Sequence, residues 1–593
     1  MRMAVTITAA QVNTVKQTMR NITVRIDVLN YDYSVGGSLS GNVIDGNVSI
    51  NANSDIRRTL SISTVVTNSI NIDVNSAVWF DKYIQVYVGV DDQNTGATVW
   101  TNMGIYIINT PTYAYDAETF TLSFEAVDLM GMLTGLRKGN LLYEYFIPQG
   151  SNVKEVMTAV LEEAGFTKYI ISECTNIDGS IQEVPYDMSF DLGSTWYNIL
   201  DSLRQILPQY QIYFDVDGVF HYELLPLTNE EPVRVDDTIW KENVLGETVN
   251  IDFQSVKNYV RVYGATHDAS FCPASTTVSG NIITFDVAEL TDSTLYDYAM
   301  IGFILPQSIV SQNYNIRAKL KNGTDRKIVD STGGGINKLD ADEYYTIMYQ
   351  QTKNNWLLLG HYQAQGEWKE DNPDSPFYAG NTDITHWSKD APMGFEYQVS
   401  GVPYRTIYLS VNQYVDLTNE RVGFKIAESG GSYPNEAGQT YSAYLANISI
   451  NGTGYPINVN GSTSKLVTYT VGKTYYVENR NGTWYWMGET TAQSTFGVVP
   501  IVLFGGDYDN IMSDELATER ARWEIYQRCR LNDAISIESV PIYWLDVGWK
   551  VEYTPLGGVV TNQYMVDSAS VNLANNGTQS ITLSRFFPYY EST

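Results

Sequence analysis

The sequence predicts a mainly β protein that has a smaller α+β part. Period-2 alternation is the first sign: in NITVRIDV the apolar residues Ile22, Val24, Ile26 and Val28 alternate with polar ones, as in a half-buried strand. Composition is the second sign. Tyr (44) and Gly (45) are abundant and charged residues make up 18% of the chain, which favours short strands and polar turns. With 593 residues the chain is too long for one core, so we expect about three to five domains.

The first β-domain is expected over residues 1–135. The segments 83–90, 104–110 and 119–128 repeat the alternation, and Gly or polar turns separate them, which predicts a sandwich or a barrel. The sequence DLMGML at 128–133 predicts a single helical turn that closes this domain.

An α+β domain is expected over residues 136–240. It should contain two helices, with Ser151 as the N-cap of the first and Ser194 or Thr195 as that of the second. The Asp-Gly dipeptide at 217–218 predicts the turn of a hairpin. The apolar stripes of the helices are Val153, Val156, Val160 and Ala164 in the first, and Trp196, Ile199, Leu200, Leu203 and Ile206 in the second.

The second β-domain is expected to be discontinuous. It should combine residues 241–267 with 498–593, because the strand pattern that ends near 264 is completed only after 506. After the interruption the sequence predicts one helix with Ala517, Ala521, Ile525 and Cys529 at every fourth position. The strands expected after this helix are 534–540, 549–554, 563–571 and 580–586.

The segment between the two parts contains a repeat. Its landmarks recur in the same order: an Asn-Gly-Thr turn (322–324 and 451–453), a Tyr pair (Tyr344-Tyr345 and Tyr475-Tyr476), and Trp and Gly at W-x3-G spacing (Trp356 and Gly360, Trp484 and Gly488). The period is too long for a solenoid. We therefore predict two related β-sandwich modules in tandem, over 268–394 and 395–497.

The charge balance restricts the functions to consider. The net charge is −30, with 67 acidic and 37 basic residues, which argues against a nucleic-acid binder because such a protein needs a basic surface. An acidic wall past which DNA moves without sticking fits the balance, and so does acidity that only confers solubility.

The cysteines and the N-terminal segment indicate the compartment in which the protein is made. Cys174, Cys272 and Cys529 form no CxxC pair, so they predict neither a zinc ribbon nor a disulfide framework, and we expect synthesis in a reducing cytoplasm. The N-terminal MRMAVTITAAQVNTVKQTMR lacks the apolar core of a signal peptide, and no run of about 18 apolar residues occurs.

Catalytic and cofactor signatures are missing from the sequence. There is no HExxH or GxSxG motif, and the four histidines (His221, His267, His361 and His386) lack a zinc-site spacing. VGKT at 471–474 resembles the end of a P-loop, but Val467 replaces the required Gly, so a hairpin Lys is the better interpretation. DVDG at 215–218 resembles the start of a calcium loop without its later ligands, which favours a β-turn. No catalytic, cofactor or metal residue is predicted.

An aromatic cluster is the candidate ligand site. Trp484, Tyr485 and Trp486, with Trp356 in the other copy, are candidate glycan contacts because indole rings stack on sugars. In a strand Trp484 and Trp486 share one face and Tyr485 takes the other. The alternative is that these rings fill a thin sandwich core, and the leucines at 357–358 of the first copy favour it.

Taken in order, these segments resemble a known family. VDLMGML, STWYNILDSLRQILPQYQIYFDVDGVFHYEL, FQSVKNYVRVYG, SDELATERARWEIYQR and SVPIYWLDVGWKVEY are similar in pattern to the tail hub proteins of bacteriophages and related contractile injection systems, over about 1–267 and 500–593. The resemblance implies two β-barrel domains similar to the tail-tube fold. It also implies a homotrimer whose pseudo-sixfold ring mates with the hexameric tube and a threefold tip, and whose lumen passes DNA.

The insert resembles β-modules of phage tail fibres, which implies outward domains that contact the cell surface or neighbouring baseplate proteins. The partners so implied are a tail tube or distal tail protein, a tape measure protein, tip or receptor-binding proteins and a host-surface glycan. The implied location is the tail tip of the virion, after synthesis in the host bacterial cytoplasm. The chain departs from hubs with a fused peptidoglycan-cleaving domain, because it carries no such catalytic residues.

The sequence thus predicts a structural hub rather than an enzyme. Two alternatives stay open: a carbohydrate-binding adhesin in which the insert is the active part, and a tail-associated hydrolase of cell-wall polymer.

Overall fold

The computed structural model divides the chain into two compact units, Met1–Val256 with Leu531–Thr593, and Lys257–Arg530. The chain therefore leaves the first unit and returns to it, but the predicted join between 267 and 498 lies inside the second unit. The structure describes residues 7–39, 41–66, 76, 78–116, 118–175, 181–229, 231–266, 275–288, 290–311, 313–331, 333–370, 375, 377, 379, 384–399, 401–411, 415, 420–431, 438–459, 466–480, 482–489 and 497–589.

The N-terminal part of the first unit is mostly strand. Its helices are α1 (Ala9–Val15), α2 (Val153–Glu163), α3 (Trp196–Gln205) and α4 (Asp237–Trp240), with a 3-10 turn at Leu129–Met132. Its strands are β1 (Ile22–Leu29), β2 (Val35–Leu39), β3 (Gly41–Asn51), β4 (Arg58–Val66), β5 (Tyr83–Asp91), β6 (Thr98–Asp116), β7 (Thr119–Asp128), β8 (Tyr145–Ile147), β9 (Tyr169–Ile171), β10 (Met188–Phe190), β11 (Tyr210–Phe214), β12 (Phe220–Leu224) and β13 (Val244–Asp252).

The described residues of the second unit form one long helix, α5 (Asp514–Arg528), a 3-10 turn at Gly506–Tyr508, and many strands. The strands are β14 (Tyr259–Thr266), β15 (Ser275–Ser279), β16 (Ile282–Asp286), β17 (Met300–Ile304), β18 (Ile309–Val310), β19 (Arg317–Leu320), β20 (Arg326–Val329), β21 (Lys338–Leu339), β22 (Tyr344–Gln350), β23 (Asn355–His361), β24 (Gln363–Lys369), β25 (Ile384–Val399), β26 (Val402–Val411), β27 (Arg421–Gly431), β28 (Thr440–Ile450), β29 (Thr453–Asn458), β30 (Leu466–Thr470), β31 (Thr474–Arg480), β32 (Thr483–Glu489) and β33 (Pro500–Leu503).

One sheet joins both ends of the first unit. The C-terminal strands β34 (Asn532–Ser539), β35 (Lys550–Tyr553), β36 (Asn562–Asn572) and β37 (Gln579–Arg585) complete a 12-stranded sheet of order β13-β34-β37-β36-β3-β4-β7-β6-β5-β1-β2, with β35 paired to β36. β3 and β36 pair antiparallel and bring Val48 opposite Val571. The mainly β fold class is confirmed, and strands of the two predicted β-domains form one continuous sheet over a shared core.

The α+β part of the first unit has its own core around α2 and α3. The second helix is capped as expected, by Thr195 and Asn198 in a reciprocal capping box. The first is capped by Asn152, whose side chain accepts from the Glu155 N–H at 3.1 Å, one residue after the predicted Ser151. Ser151 instead donates its hydroxyl to the Pro148 carbonyl at 2.7 Å.

A small α+β layer in the second unit was not anticipated. β14 lies between β24 and β33, and α5 packs on this sheet through Val260, Val262, Ala517, Ala521 and Ile525. The sequence assigned β14 and α5 to the second β-domain and β24 to the first inserted module. Only strand pairing brings β24 to β14, so the assignment needed tertiary information. Gly366 in β24 permits the close packing, because a Cβ there would collide with the backbone of the helix.

The two inserted modules share a path of seven paired strands, and in the second module β25 also pairs with β27 and β28 with β30. The first has the order β15-β16-β19-β20-β23-β22-β17, and the second connects β25-β26-β28-β29-β32-β31-β27 in the same way. The parallel pairs fall at corresponding steps, β16–β19 with β26–β28 and β20–β23 with β29–β32. The two modules therefore share these strand-pairing steps. The predicted boundary at 395 falls within β25.

Strand register changes how the Tyr pairs of the two repeat copies correspond. Thr346 pairs with Gly360 and Tyr476 pairs with Gly488, each beside a register shift. Tyr345 and not Tyr344 therefore corresponds to Tyr475. Both phenols accept a backbone N–H from five residues upstream, at 3.0 Å in the first copy and 2.6 Å in the second.

Candidate functional surfaces

Two of the four candidate glycan contacts lie in module cores. Trp356 and Trp484 are both 0% exposed, each at the centre of the hydrophobic core of its module. They occupy inward positions of β23 and β32 because Trp356 pairs with Tyr349 and Trp484 pairs with Asn479. An indole with no exposed surface has no face to offer a sugar, so the structure places both in the role of core residues.

Trp486 is half-buried and also packs inward. Its ring stacks on Tyr475 at 5.4 Å between centroids and lies 5.8 Å from Phe424. Tyr485 points to the other face, as strand alternation predicted. Glycan contact by Tyr485 and Trp486 stays a prediction.

Tyr485 belongs to a line of polar side chains that crosses four strands. Register aligns Arg421 of β27 with Glu478 of β31, Glu478 with Tyr485 of β32, and Tyr485 with Asn458 of β29. We call these four residues the polar row. Arg421 Nε is 3.5 Å from Glu478 Oε2, and Arg480 Nε is 3.1 Å from Glu478 Oε1. The Arg480 guanidinium also lies 5.5 Å from the centre of the Tyr485 ring.

The first module has an apolar line at the corresponding positions. Met300 aligns with Met348, Met348 with Leu357, and the Leu357 position with Val329. The copies share a fold and differ in the chemistry of this face. Sequence reasoning found Tyr485 alone, because Arg421, Glu478 and Asn458 become its neighbours only through strand pairing.

The first unit carries a second notable surface at the edge strand β13. Val249, Ile251 and Phe253 are exposed, and they follow one face of the strand. Val249 pairs with Ile535, which is buried in the core. The face of the sheet that packs on the core thus extends onto β13, where no described residue buries it. We call Val249, Ile251 and Phe253 the edge surface.

A buried charge cluster ties together distant segments of the first unit. Arg58 is 1% exposed; it donates to the Phe214 carbonyl at 2.6 Å and pairs with Asp546. Its backbone N–H donates to Asp128 at 2.8 Å, and burial raises the pKa of the Asp128 carboxyl. Next to it, burial lowers the pKa of Arg57 to about 10. The cluster connects β4, the hairpin β11–β12 and the segment that precedes β35.

A histidine anchors α5 in the second unit. His361 Nδ1 is 2.6 Å from Asp514 Oδ2, and the His361 and Gln365 backbone N–H groups both donate to the same carboxylate at 2.9 Å. Nε2 of His361 lies 4.0 Å from Glu343. The hydrogen bond that His361 donates to Asp514 raises the pKa of His361, and the charges of Asp514, Glu343 and Asp340 add to the effect.

The remaining sequence motifs have structural explanations. Asp215 of the DVDG turn accepts from the Asp217 and Val219 N–H groups and lies 2.9 Å from His221 Nε2. Lys473 of VGKT is in the turn between β30 and β31, which pair with other strands rather than as the predicted hairpin, and its ammonium group pairs with Glu489 at 2.7 Å. Cys174 and Cys529 are free thiols, and burial raises the pKa of both. His267 and Cys272 lie outside the described residues, as does the side chain of His386.

The described residues contain neither a cluster of potential metal ligands nor a helix that could span a membrane. No group of three or more His, Cys, Asp or Glu side chains there is arranged to hold a metal ion. Over the same ranges, none of the helices has the length and apolarity needed to cross a bilayer.

Comparisons with known proteins give one family match, at the C-terminal end of the chain. A family model described as a domain of unknown function (DUF5048) matches residues 492–590. No curated protein matches the chain.

Three solved structures are similar over nearly the whole chain. They are the 43 kDa tail protein of prophage MuSo2 from Shewanella oneidensis (7% identity, TM-score 0.41, 95% of this chain and 98% of that chain covered), the tail protein from Neisseria meningitidis MC58 (6%, 0.42, 95% and 98%), and prophage tail protein gp18 from Listeria monocytogenes EGD-e (9%, 0.36, 94% and 94%). The first and the third are named as prophage tail proteins and the second as a tail protein.

Proposed function

We propose that this chain is the structural hub of a phage tail tip or baseplate. In this role three copies form a ring that adapts the sixfold tail tube to a threefold tip and lines the channel for DNA. The role is architectural rather than catalytic. The observation that carries it is the 12-stranded sheet of the first unit, which joins strands from both ends of the chain.

The sheet supplies two β-halves from one chain. One half comes from β1–β7 and the other from β13 with β34–β37, and β3 pairs with β36 where they meet. A chain with two such halves fills two adjacent positions of a ring, so three copies provide six positions. This arithmetic matches a hexameric tube on one side and a trimeric tip on the other.

The ends of the sheet support ring closure. β2 and β13 are the terminal strands, and each pairs on one side only within the described residues. An unpaired edge is a template for another strand, and head-to-tail contacts between identical copies close into rings. The edge surface adds apolar area beside β13, and we assign a second copy of this chain as its cover.

Charge and partners follow from the same role. A net charge of −30 suits a channel that DNA traverses without binding, because carboxylates repel phosphates. A tail tube or distal tail protein and the tape measure protein would meet one side of the ring, and tip or receptor-binding proteins the other. The hub would reside at the tail tip of the virion after synthesis in the host cytoplasm, with the inserted modules at its periphery.

Electron microscopy of the purified chain, with light-scattering mass on the same sample, tests the proposal. We expect a threefold ring with a central hole and the mass of a trimer. Tail-tube protein should be added if the chain alone is a monomer. A chain that stays monomeric in the presence of tube protein would contradict the hub.

Ile251→Lys tests the edge surface within the same assay. A lysine at an exposed position leaves the fold stable, but it places an unpaired charge in the proposed interface, so the trimer mass should fall to that of a monomer. The matched control is Asn250→Lys, on the other face of the same strand, which should still form the ring. Loss of the ring in both variants, or in neither, would show that the edge surface is not the contact.

A further inference from the structure

We infer that a two-stranded ribbon in the α+β part of the first unit docks a basic, amphipathic segment of a partner protein. The docking surface consists of three exposed apolar residues, Leu142, Phe146 and Leu192, which we call the ribbon patch, and a rim of carboxylates. The inference goes beyond the proposed hub function and does not rest on the ring, because it concerns one surface of a single copy.

The ribbon is attached to its domain by one face. Its strands β8 and β10 pair antiparallel and place Ser189 opposite Phe146. The flanking residues Ile147 and Met188 are buried in the core around α2 and α3. Because successive side chains of a strand point to opposite faces, Phe146 turns outward, with 57% of its surface exposed. The ribbon therefore presents a fixed outer face to solvent.

Two leucines enlarge the apolar surface at the end of the ribbon. The Leu141 N–H donates to the Ser194 carbonyl at 2.7 Å, and the Gly193 N–H donates to the Leu141 carbonyl at 3.1 Å. These bonds hold the two segments side by side, so Leu142 and Leu192 lie at adjoining positions. Leu142 is 85% exposed and Leu192 is 70% exposed. Single exposed apolar residues are normal, but several on one small ribbon are typical of an interaction site.

The charge around the ribbon patch is negative. The segments that supply the ribbon contain three carboxylates and no Lys or Arg, namely Glu144 in residues 141–150, and Asp187 and Asp191 in residues 186–195. An apolar surface with an acidic rim is complementary to apolar side chains that are flanked by basic ones.

Hydrogen bonds hold two of these carboxylates at the ribbon before a partner arrives. Glu144 accepts from the Ser189 hydroxyl, and Asp187 accepts from the Gln149 N–H, each at 2.8 Å. Groups that are already fixed lose little conformational freedom on binding, which favours association.

The rim selects among the possible occupants of the ribbon patch. Nucleic acid and anionic membranes carry phosphates, which carboxylates repel. A second copy of this chain has a net charge of −30, so like charges oppose its approach to an acidic rim. A neutral apolar segment would cover the leucines and Phe146 but would leave the carboxylates without counter-ions. A segment with Lys or Arg beside its apolar residues satisfies both parts of the surface.

The test measures binding of the full chain to two labelled synthetic peptides by fluorescence anisotropy. One peptide has leucine and lysine in a helical repeat, and the other has glycine in place of each leucine. The glycine peptide accounts for the general attraction between lysine and an acidic chain. We expect the leucine–lysine peptide to bind about tenfold more tightly or better, because only its side chains bury the ribbon patch.

Variants locate the binding site. Phe146→Ser and Leu142→Ser should each weaken binding of the leucine–lysine peptide by about fivefold or more. Val559→Ser changes an exposed apolar residue of the loop between β35 and β36, so this matched control should bind as the unmodified chain does. Glu144→Gln should weaken binding by about threefold and reduce its dependence on salt, whereas Glu118→Gln, in the turn between β6 and β7, should change neither.

Four outcomes would overturn the inference. They are equal affinity for the two peptides, equal loss in Val559→Ser and Phe146→Ser, equally tight binding of a leucine–glutamate peptide, and loss of the trimer in Phe146→Ser, which would make the ribbon patch a contact between copies. Thermal unfolding of each variant separates loss of binding from loss of fold. The two proposals stay distinct, since an intact ring without peptide binding contradicts only the ribbon patch, and peptide binding without a ring contradicts only the hub.

Discussion

Adjacent residues of one strand have opposite roles in this protein. Trp484 fills the core of its module, while Tyr485 faces outward in the polar row. Alternation along the strand was predictable from the sequence, but which face is inward was not, because both faces carry large aromatic rings. Pairing with the buried Asn479 decides that Trp484 is the inward residue. A cluster of exposed indoles is therefore absent from β32, and a single tyrosine is the aromatic member of the candidate site.

At the same scale, Arg58 shows how one side chain joins segments that lie far apart in the sequence. It bonds to Phe214 and Asp546, and its backbone bonds to Asp128. A buried guanidinium is costly unless it is paired and its N–H groups are satisfied. The packing of three segments in the first unit consequently depends on the presence of its partners.

Removal of the Asp546 carboxylate should be costly. Asp546→Ala leaves Arg58 buried without its counter-ion, and we expect the free energy of unfolding to fall by about 3 kcal/mol. The contrasting variant is Lys321→Ala, which removes the exposed pair with Asp286 and should cost less than about 1 kcal/mol. Urea denaturation of both variants measures the difference, and equal losses would mean that Arg58 is not held by this pair.

Among the elements, the hairpin with W-x3-G spacing occurs in both modules, and its glycine has an additional packing role in the first module. Gly360 and Gly488 both have positive φ, 104° and 90°, and both sit at the register shift of their hairpins. In the second module no atom of the described residues lies within 4 Å of a Cβ built at Gly488. In the first, a Cβ at Gly360 would collide with the Asp514 carboxylate, so the glycine also lets the N-terminus of α5 approach.

The contact between β23 and α5 should depend on pH. Asp514 stabilises protonated His361, so the pKa of His361 is higher in the folded protein than in the unfolded chain. The stabilisation is complete below the unfolded pKa of about 6.5 and is lost as the pH rises through the raised folded value. The difference in melting temperature between the unmodified chain and His361→Gln should therefore be larger at acidic than at basic pH.

Asp514→Asn provides the control for this effect. It removes the charge that raises the pKa of His361, so the pH-dependent part of the His361→Gln difference should largely disappear in the Asp514→Asn background. Glu343 and Asp340 remain, so a small part of the pH dependence should persist in this background. A difference that stays constant with pH in the unmodified background would show that His361 is not charged in the folded state.

Over the whole molecule, the structure shows how an insertion is accommodated. Asn258 is fully buried and binds both ends of the segment that carries the second module: its side-chain amide donates to the Phe377 and Gly497 carbonyls at 2.9 and 2.7 Å, and its carbonyl accepts from Glu370 at 2.9 Å. At the outer boundary the Lys257 N–H donates to the Arg528 carbonyl at 3.0 Å. An insertion whose ends are adjacent disturbs its host little.

The adjacency of Lys257 and Arg528 predicts a clean deletion. Replacement of Lys257–Arg530 by a short Gly-Ser linker should leave the first unit folded, because its core receives no residue from that range. Removal of 268–497 alone should give a less stable product, since it takes away β24 and leaves α5 on an incomplete sheet. Circular dichroism and melting curves compare the two deletion products. If the product that lacks Lys257–Arg530 is unfolded, the boundary between the two units lies elsewhere.

The sequence by itself determined the class and much of the local structure. Period-2 alternation indicated the strands of the first unit, cap residues located α2 and α3 to within one residue, and the repeat landmarks indicated two related modules. These features are local, because alternation, capping and turns depend on residues a few positions apart.

Tertiary structure decided the features that depend on pairing between distant segments. Only the fold shows that β3 meets β36, that β24 joins β14 beneath α5, and that Arg421, Glu478, Tyr485 and Asn458 form one row. Strand partners are chosen by register and packing across hundreds of residues, and alternation within a strand does not specify them. The division between core tryptophan and outward tyrosine depends on the same pairing.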